Sequence, residues 1–307
     1  MTLVTSSPPP PSVASSPPAS ELASAPLGAP ASAFVTDILP PRGWRLINLG
    51  ELWRFRELLY FLVWRDVKVR YKQTVLGAAW AVLQPAMMMV VFSIFFGRLA
   101  NVSAGDGMPY PLFVLAGLLP WTFFSTAVGN AGTSVVGSER LITKIYFPRL
   151  MIPWSAVGAA VVDFLIAMGL LALMMAYYHR GPSWSILAAP LIYAFVVCAA
   201  LGMGTLLAAL NVAYRDFRYV IPFLLQLWMF ATPSVYMQVK PGSLGAWEPL
   251  LELNPMTPLI AAFRAAVLGQ EPIEWLSLGI AGALSLALFA FGCFYFRKVE
   301  DRFADII

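Results

Sequence analysis

The chain has 307 residues, 59% of them hydrophobic and only 12% charged, with a formal net charge of +4 and a mean hydropathy of +0.73. A soluble fold of this length cannot bury so much apolar surface, which leaves an integral membrane protein built as one bundle. The basic residues flank apolar segments without interleaved base-stacking side chains, so nucleic acid is not an expected partner.

Cys198 and Cys293 fall inside apolar segments, and the single histidine, His179, stands at the end of one. The two cysteines read as small core hydrophobes, and no metal-ligand spacing exists.

Residues 1–41 hold ten prolines with many Ser and Ala and no basic residue. They lack the positive start and apolar core of a signal peptide and read as a disordered cytoplasmic tail. Residues 42–73 form an interface region. Within it, 51–73 reads as one helix in which Trp53, Tyr60, Trp64, Val67 and Tyr71 recur at steps of seven, four, three and four. Arg54, Arg65, Lys68 and Lys72 take another face. This pattern predicts an amphipathic helix lying in the cytoplasmic interface with its aromatics among headgroups.

Six spans are expected between residues 74 and 296, at 74–96, 110–136, 150–178, 186–212, 220–239 and 276–296. Each is long enough for a hydrocarbon core of about 30 Å. Pro85, Pro120, Pro153, Pro190, Pro222 and Pro233 lie in the first five; they suit either ordinary packing or hinges. Residues 247–269 are apolar but broken by Pro249, Pro255 and Pro258, and charged at Glu248, Glu252 and Arg264. Broken backbone at membrane depth needs surrounding protein or a water-filled cavity. The segment therefore reads as two short re-entrant helices turning near Asn254 and Pro255. Residues 297–307 form a C-terminal cytoplasmic tail.

Charge sets the orientation. With this topology only Arg98, Arg180, Lys240 and Arg264, of the 20 basic residues, fall outside. The rest flank the inner side, as the positive-inside rule requires, with both termini cytoplasmic.

Candidate functional residues follow from the loops and the polar positions. In the loop 136–150, Ser138 suits a helix cap, Glu139 a first turn and Pro148 a stop. A short helix there, comprising Ser138, Glu139, Arg140, Leu141, Ile142, Thr143, Lys144 and Tyr146, fits docking of a soluble partner or a plain interfacial connector. Arg215, Asp216 and Arg218 make a second compact inner turn. Arg65, Lys68, Arg70 and Lys72 crowd the place where the interface helix meets the membrane. They suit admission of an anionic lipid head group, or simple anchoring to an anionic leaflet.

Asp163 is the single carboxylate deep in a span, a pore-facing or helix-bonding residue. Trp80 and Gln84 in the first span, Trp121, Phe124 and Ser125 in the second, and Gln226, Phe230 and Tyr236 in the fifth mark a possible path. Aromatic faces suit sugar rings, and bundle core is the plain alternative.

Four motifs in order carry a resemblance: LLYFLVWRDVKVRYKQTVL at 58–76, LITKIYFPRL at 141–150, NVAYRDF at 211–217 and NPMTPLIAAFRAAVLG at 254–269. With them the chain resembles the permease subunits of bacterial ABC exporters for polysaccharides, of the O-antigen, capsule and teichoic-acid type. The resemblance runs from residue 51 to about 303, all but the tail. It implies a homodimer in the inner membrane with two cytoplasmic ATPase subunits that bind ATP and Mg. The substrate would be a lipid-linked polysaccharide. Residues 138–146 would be the main coupling helix, 211–219 the second cytoplasmic contact, and Asn254, Pro255, Pro258 and Arg264 part of the re-entrant pair. No Gly-x-x-x-x-Gly-Lys-Ser/Thr run exists, so the partner supplies hydrolysis. A small-molecule efflux permease of the same superfamily shares the spans, and a glycan-modifying membrane enzyme would need more clustered acids or histidines.

Overall fold

Long apolar runs with prolines at or near their first turns become helices here. The computed structural model describes residues 49–72, 77, 79–100, 107–142, 147–235, 253–269 and 271–300, and no strand occurs among them. The elements are α1 (Leu49–Arg54), α2 (Arg56–Lys72), α3 (Ala79–Phe92), α4 (Tyr110–Gly137), α5 (Glu139–Ile142) and α6 (Met151–Tyr177). They continue with α7 (Ala189–Ala213), α8 (Phe217–Phe230), α9 (Met256–Leu268) and α10 (Trp275–Glu300). A π-helical segment, Ser93–Leu99, prolongs α3, and short 3-10 turns stand at Trp184–Ala188 and Pro233–Val235.

Among the described residues, five helical stretches are long and apolar enough to cross a membrane: Ala79–Leu99, Tyr110–Gly137, Met151–Tyr177, Trp184–Ala213 and Trp275–Glu300. They match five of the six expected spans to within a few residues. The exception is 220–239. There α8 has 14 residues, about 21 Å at 1.5 Å each, short of a hydrocarbon core of about 30 Å. It stops at Phe230 because Pro233 follows; proline lacks the N–H, and its ring clashes with the carbonyl four residues back. Residues 236–239 lie outside the described residues. So do 1–48, the second half of the expected coupling helix (143–146), the first half of the expected re-entrant pair (247–252) and 301–307.

The interface helix also differs from the expectation. It is not continuous over 51–73 but breaks at Phe55, whose side chain packs onto the cluster at the basic end of the bundle. Trp53, Tyr60 and Trp64 are exposed, while Tyr71 of the same stripe turns toward the protein.

α4 is the central helix. It packs against α3, α6, α7, α8 and α9, and Leu112 through Trp121 are all buried. Small residues let the helices approach where no hydrophobic force drives them together in lipid. Gly292 of α10 lies directly on the backbone of Gly202 in α7.

A second cluster joins the basic ends of the helices: Leu62 of α2, Val135 of α4, Val212 of α7 and Phe296 of α10. Phe147 and Leu150 from the FPRL motif fill it, at 6% and 1% exposure. The loop motif is thus an anchor for the interface helix and for the ends of three long helices.

Candidate functional site

At the basic end a cleft of about 800 Å³ opens between α4, α5 and the turn after α7, lined by Thr133, Glu139, Asn211, Arg215, Arg218 and Tyr219 among others. The two loops singled out in the sequence therefore share one surface. The Ser138 carbonyl accepts the N–H groups of Leu141 and Ile142 at 2.9 and 3.2 Å, which winds the turn α5. Leu141 and Ile142 pack against the basic-end cluster, leaving Glu139 exposed. Arg140 belongs to α5, while Thr143, Lys144 and Tyr146 lie outside the described residues.

On the far side of the cleft the Asn211 amide donates to the Gly132 carbonyl at 2.9 Å. This buried bond holds the end of α7 to α4. Beyond it Arg215, Asp216 and Arg218 are exposed, and no ion pair joins them among the described residues. A charged, solvated rim over a fixed backbone can recognise a soluble partner without internal neutralisation.

The second feature is an ion pair half-way along α6. Arg70 Nη1 donates to Asp163 Oδ2, and the Tyr71 hydroxyl donates to Asp163 Oδ1. Arg70 and Asp163 are 33% and 21% exposed, so the pair is neither dry nor freely solvated. Burial pushes the Tyr71 phenol above its ordinary pKa, against the lowering charge of Arg70, and keeps it a donor. Asp163 is thus a helix-bonding residue: it ties the end of α2 to the middle of α6.

The other basic residues of α2 divide into two kinds. Arg65 pairs with Asp66 at 2.8 Å, and Asp66 also accepts the Ser155 hydroxyl at 2.9 Å. Lys68 lies over the Trp64 ring, 5.8 Å from its centroid, and Lys72 is exposed.

A cavity of about 350 Å³ adjoins the ion pair. Arg70, Trp80, Gln84, Thr126, Asn130 and Asp163 are in its wall. Of the expected path residues, the structure brings Trp80, Gln84 and Asp163 together here. Trp121 and Phe124 are instead buried core; Phe124 meets the Trp228 ring edge-on at 5.1 Å. Ser125 donates to the Thr122 carbonyl at 3.2 Å, and Gln226 and Phe230 sit on an exposed face of α8. Tyr236 lies outside the described residues.

Sequence reasoning passed over Thr122, Thr126 and Asn130. Their signal was available: polar side chains at four-residue steps in an apolar span share one helix face.

The re-entrant motif also acquires geometry. Pro255 caps α9 and Pro258 falls in its first turn, where a missing N–H costs nothing. Arg264 is buried at 8% exposure, its guanidinium 3.7 Å from the Phe113 ring centroid. A cation–π contact of this kind is worth more in a desolvated site than at a surface.

Among the described residues the protein is all-helical, with several helices long and apolar enough to cross a membrane, a cleft at its basic end and α2 joined to α6 by the Arg70–Asp163 ion pair. Residues 57–268 match the family described as ABC-2 type transporter, and the chain belongs to that family. It is 31% identical over 258 residues to the O-antigen export system permease protein RfbA of Myxococcus xanthus, covering 84% of this chain and 98% of that protein. It is 28% identical over 262 residues to an RfbA of Klebsiella pneumoniae, covering 85% of this chain and 97% of that protein. Similarity extends to the polysialic acid transport protein KpsM of Escherichia coli, 22% identical over 241 residues, 77% of this chain and 91% of that one.

Proposed function

We propose that this chain is the permease subunit of an ATP-driven exporter that moves lipid-linked polysaccharide, of O-antigen or capsule type, from the cytoplasmic side across the bacterial inner membrane. The observation that carries this reading is the alignment with an O-antigen export permease, which leaves almost none of that protein uncovered.

In this reading the protein has six spans, the fifth made by α8 with the residues after it. Residues 247–269 dip in and return, and both termini are cytoplasmic. Two copies pair, and two ATPase subunits bind ATP and Mg. They dock on the cleft between α5 and the turn at 215–218, with Ser138, Glu139, Arg140, Leu141, Ile142, Thr143, Lys144 and Tyr146 as the coupling helix. ATP-driven closure of the partner dimer moves this helix, and the two bundles re-pack around the glycan as rigid bodies. Arg65, Lys68, Arg70 and Lys72 admit the anionic lipid head at the inner leaflet.

Deleting the gene and restoring it on a plasmid tests the reading. The deletion strain is expected to lose surface polysaccharide and accumulate lipid-linked glycan on the cytoplasmic side, with recovery on complementation. A deletion strain with undiminished surface polysaccharide would overturn it.

A further inference from the structure

α4 carries one polar row. Thr122, Thr126 and Asn130 follow one turn apart and line the 350 Å³ cavity beside Asp163. Asn130, Thr133, Ser134 and Ser138 continue the row toward the basic end, where they line a second cavity of about 330 Å³. The two cavities share Arg70 and Asn130. A polar track therefore climbs from the basic end to the depth of Asp163, with one guanidinium at the junction.

We propose that this junction is a binding slot for the phosphate or diphosphate head of a membrane lipid, and that Asp163 stands in for that phosphate until the lipid arrives. The proposal rests on the export reading for the lipid's identity as a glycan carrier, and on the geometry for everything else. The Arg70 fork matches carboxylate and phosphate oxygens alike. Asp163 already receives a guanidinium and a phenol, Arg70 and Tyr71. A phosphate entering the slot takes the same two donors and adds Asn130 and Thr126 from the facing helix.

Within the row Thr122, Thr133 and Ser134 donate to carbonyls of α4 itself, which leaves Thr126 and Asn130 as the polar side chains that α4 offers to the cavity beside the ion pair. The size also fits, since ligand pockets begin at about 300 Å³. Trp80 and Gln84, both exposed, form part of its wall, so the slot is open at the surface of the bundle.

Two consequences follow. The resting protein is self-inhibited for head-group binding, because Asp163 occupies Arg70. Lipid binding also releases Asp163 from α2, which frees the interface helix to move relative to α6.

The test uses the full-length protein in dodecyl maltoside micelles without added phospholipid, titrated calorimetrically with farnesyl diphosphate and, separately, with inorganic pyrophosphate. Asp163→Asn removes the competing charge and is expected to bind farnesyl diphosphate about tenfold tighter, as loss of one charge-assisted bond from the competing state implies. Arg70→Gln is expected to bind it about tenfold weaker or worse. Inorganic pyrophosphate is expected to bind far more weakly than the lipid form; equal binding of the two would overturn the lipid assignment. An Asp163→Asn affinity equal to or below wild type would overturn the stand-in role. Should Asp163→Asn fail to fold, Thr126→Val decides, being isosteric: a several-fold loss is expected, and a wild-type affinity overturns the slot. Polysaccharide export in complemented cells is a separate readout. A chain that binds farnesyl diphosphate as expected but restores no polysaccharide counts against the export reading and not against the slot.

Discussion

Asn254 accepts the indole N–H of Trp228 at 3.0 Å, joining the start of α9 to the last turn of α8. The same carbonyl oxygen accepts the Met256 N–H at 3.1 Å, and the amide donates to Thr232 Oγ1 at 2.8 Å. One side chain thus satisfies donors and acceptors on both sides of the break that Pro233 and Pro255 impose. Leaving such groups unpaired costs about 1–3 kcal/mol each. Asn254→Leu is expected to lower stability by at least that amount, read as a fall in the melting temperature of the detergent-purified chain. Asn254→Asp keeps the acceptor and loses the donors, so its fall should be smaller.

The contact of Gly202 with Gly292 predicts a steric signature. Adding a methyl at Gly292 drives it into the α7 backbone, and overpacking costs about 1–3 kcal/mol. Gly279, on the same helix α10, has open space where its Cβ would stand. Gly279→Ala should be neutral or slightly stabilising, because alanine is favoured over glycine by about 1 kcal/mol in a helix interior. Thermal melts of the two alanine variants side by side check the contrast.

Docking at the cleft predicts uncoupling without unfolding. Arg215 and Glu139 are exposed on its rim. Glu139→Lys and Arg215→Glu should change stability by no more than about 0.5 kcal/mol, as exposed positions do. They are expected to reduce co-purification of the ATPase and to abolish polysaccharide export at normal permease levels. Full ATPase binding and export in both variants would put the docking surface elsewhere.

The proposed topology predicts opposite labelling of two positions. A cysteine at Ser183, beyond the end of α6, should react with a membrane-impermeant maleimide added to intact spheroplasts. A cysteine appended after Ile307 should react only once the membrane is opened. External labelling of the C-terminal cysteine would require a seventh crossing and a different course for residues 247–269.

Much of this protein is legible residue by residue because membrane insertion is a local sum. Five helices long and apolar enough to cross a membrane follow from local runs of apolar side chains. The span expected at 220–239 runs through Pro233, whereas α8 ends at Phe230, because proline removes a donor and clashes with the preceding turn. What tertiary structure alone decides is which polar groups meet. Arg70 and Asp163 are 93 positions apart, and no periodicity in either helix announces that they pair. Read alone, Arg70 is one of four similar cations and Asp163 an isolated acid; packed together, they pin α2 to α6 and frame a cavity. Trp121 and Phe124, which the sequence leaves open between path and bundle core, lie in the core, because the partners of an aromatic face are chosen by helix packing. A buried polar group gains or loses its favourable energy according to what stands within hydrogen-bond reach, and reach across helices is fixed by packing after the spans themselves have formed.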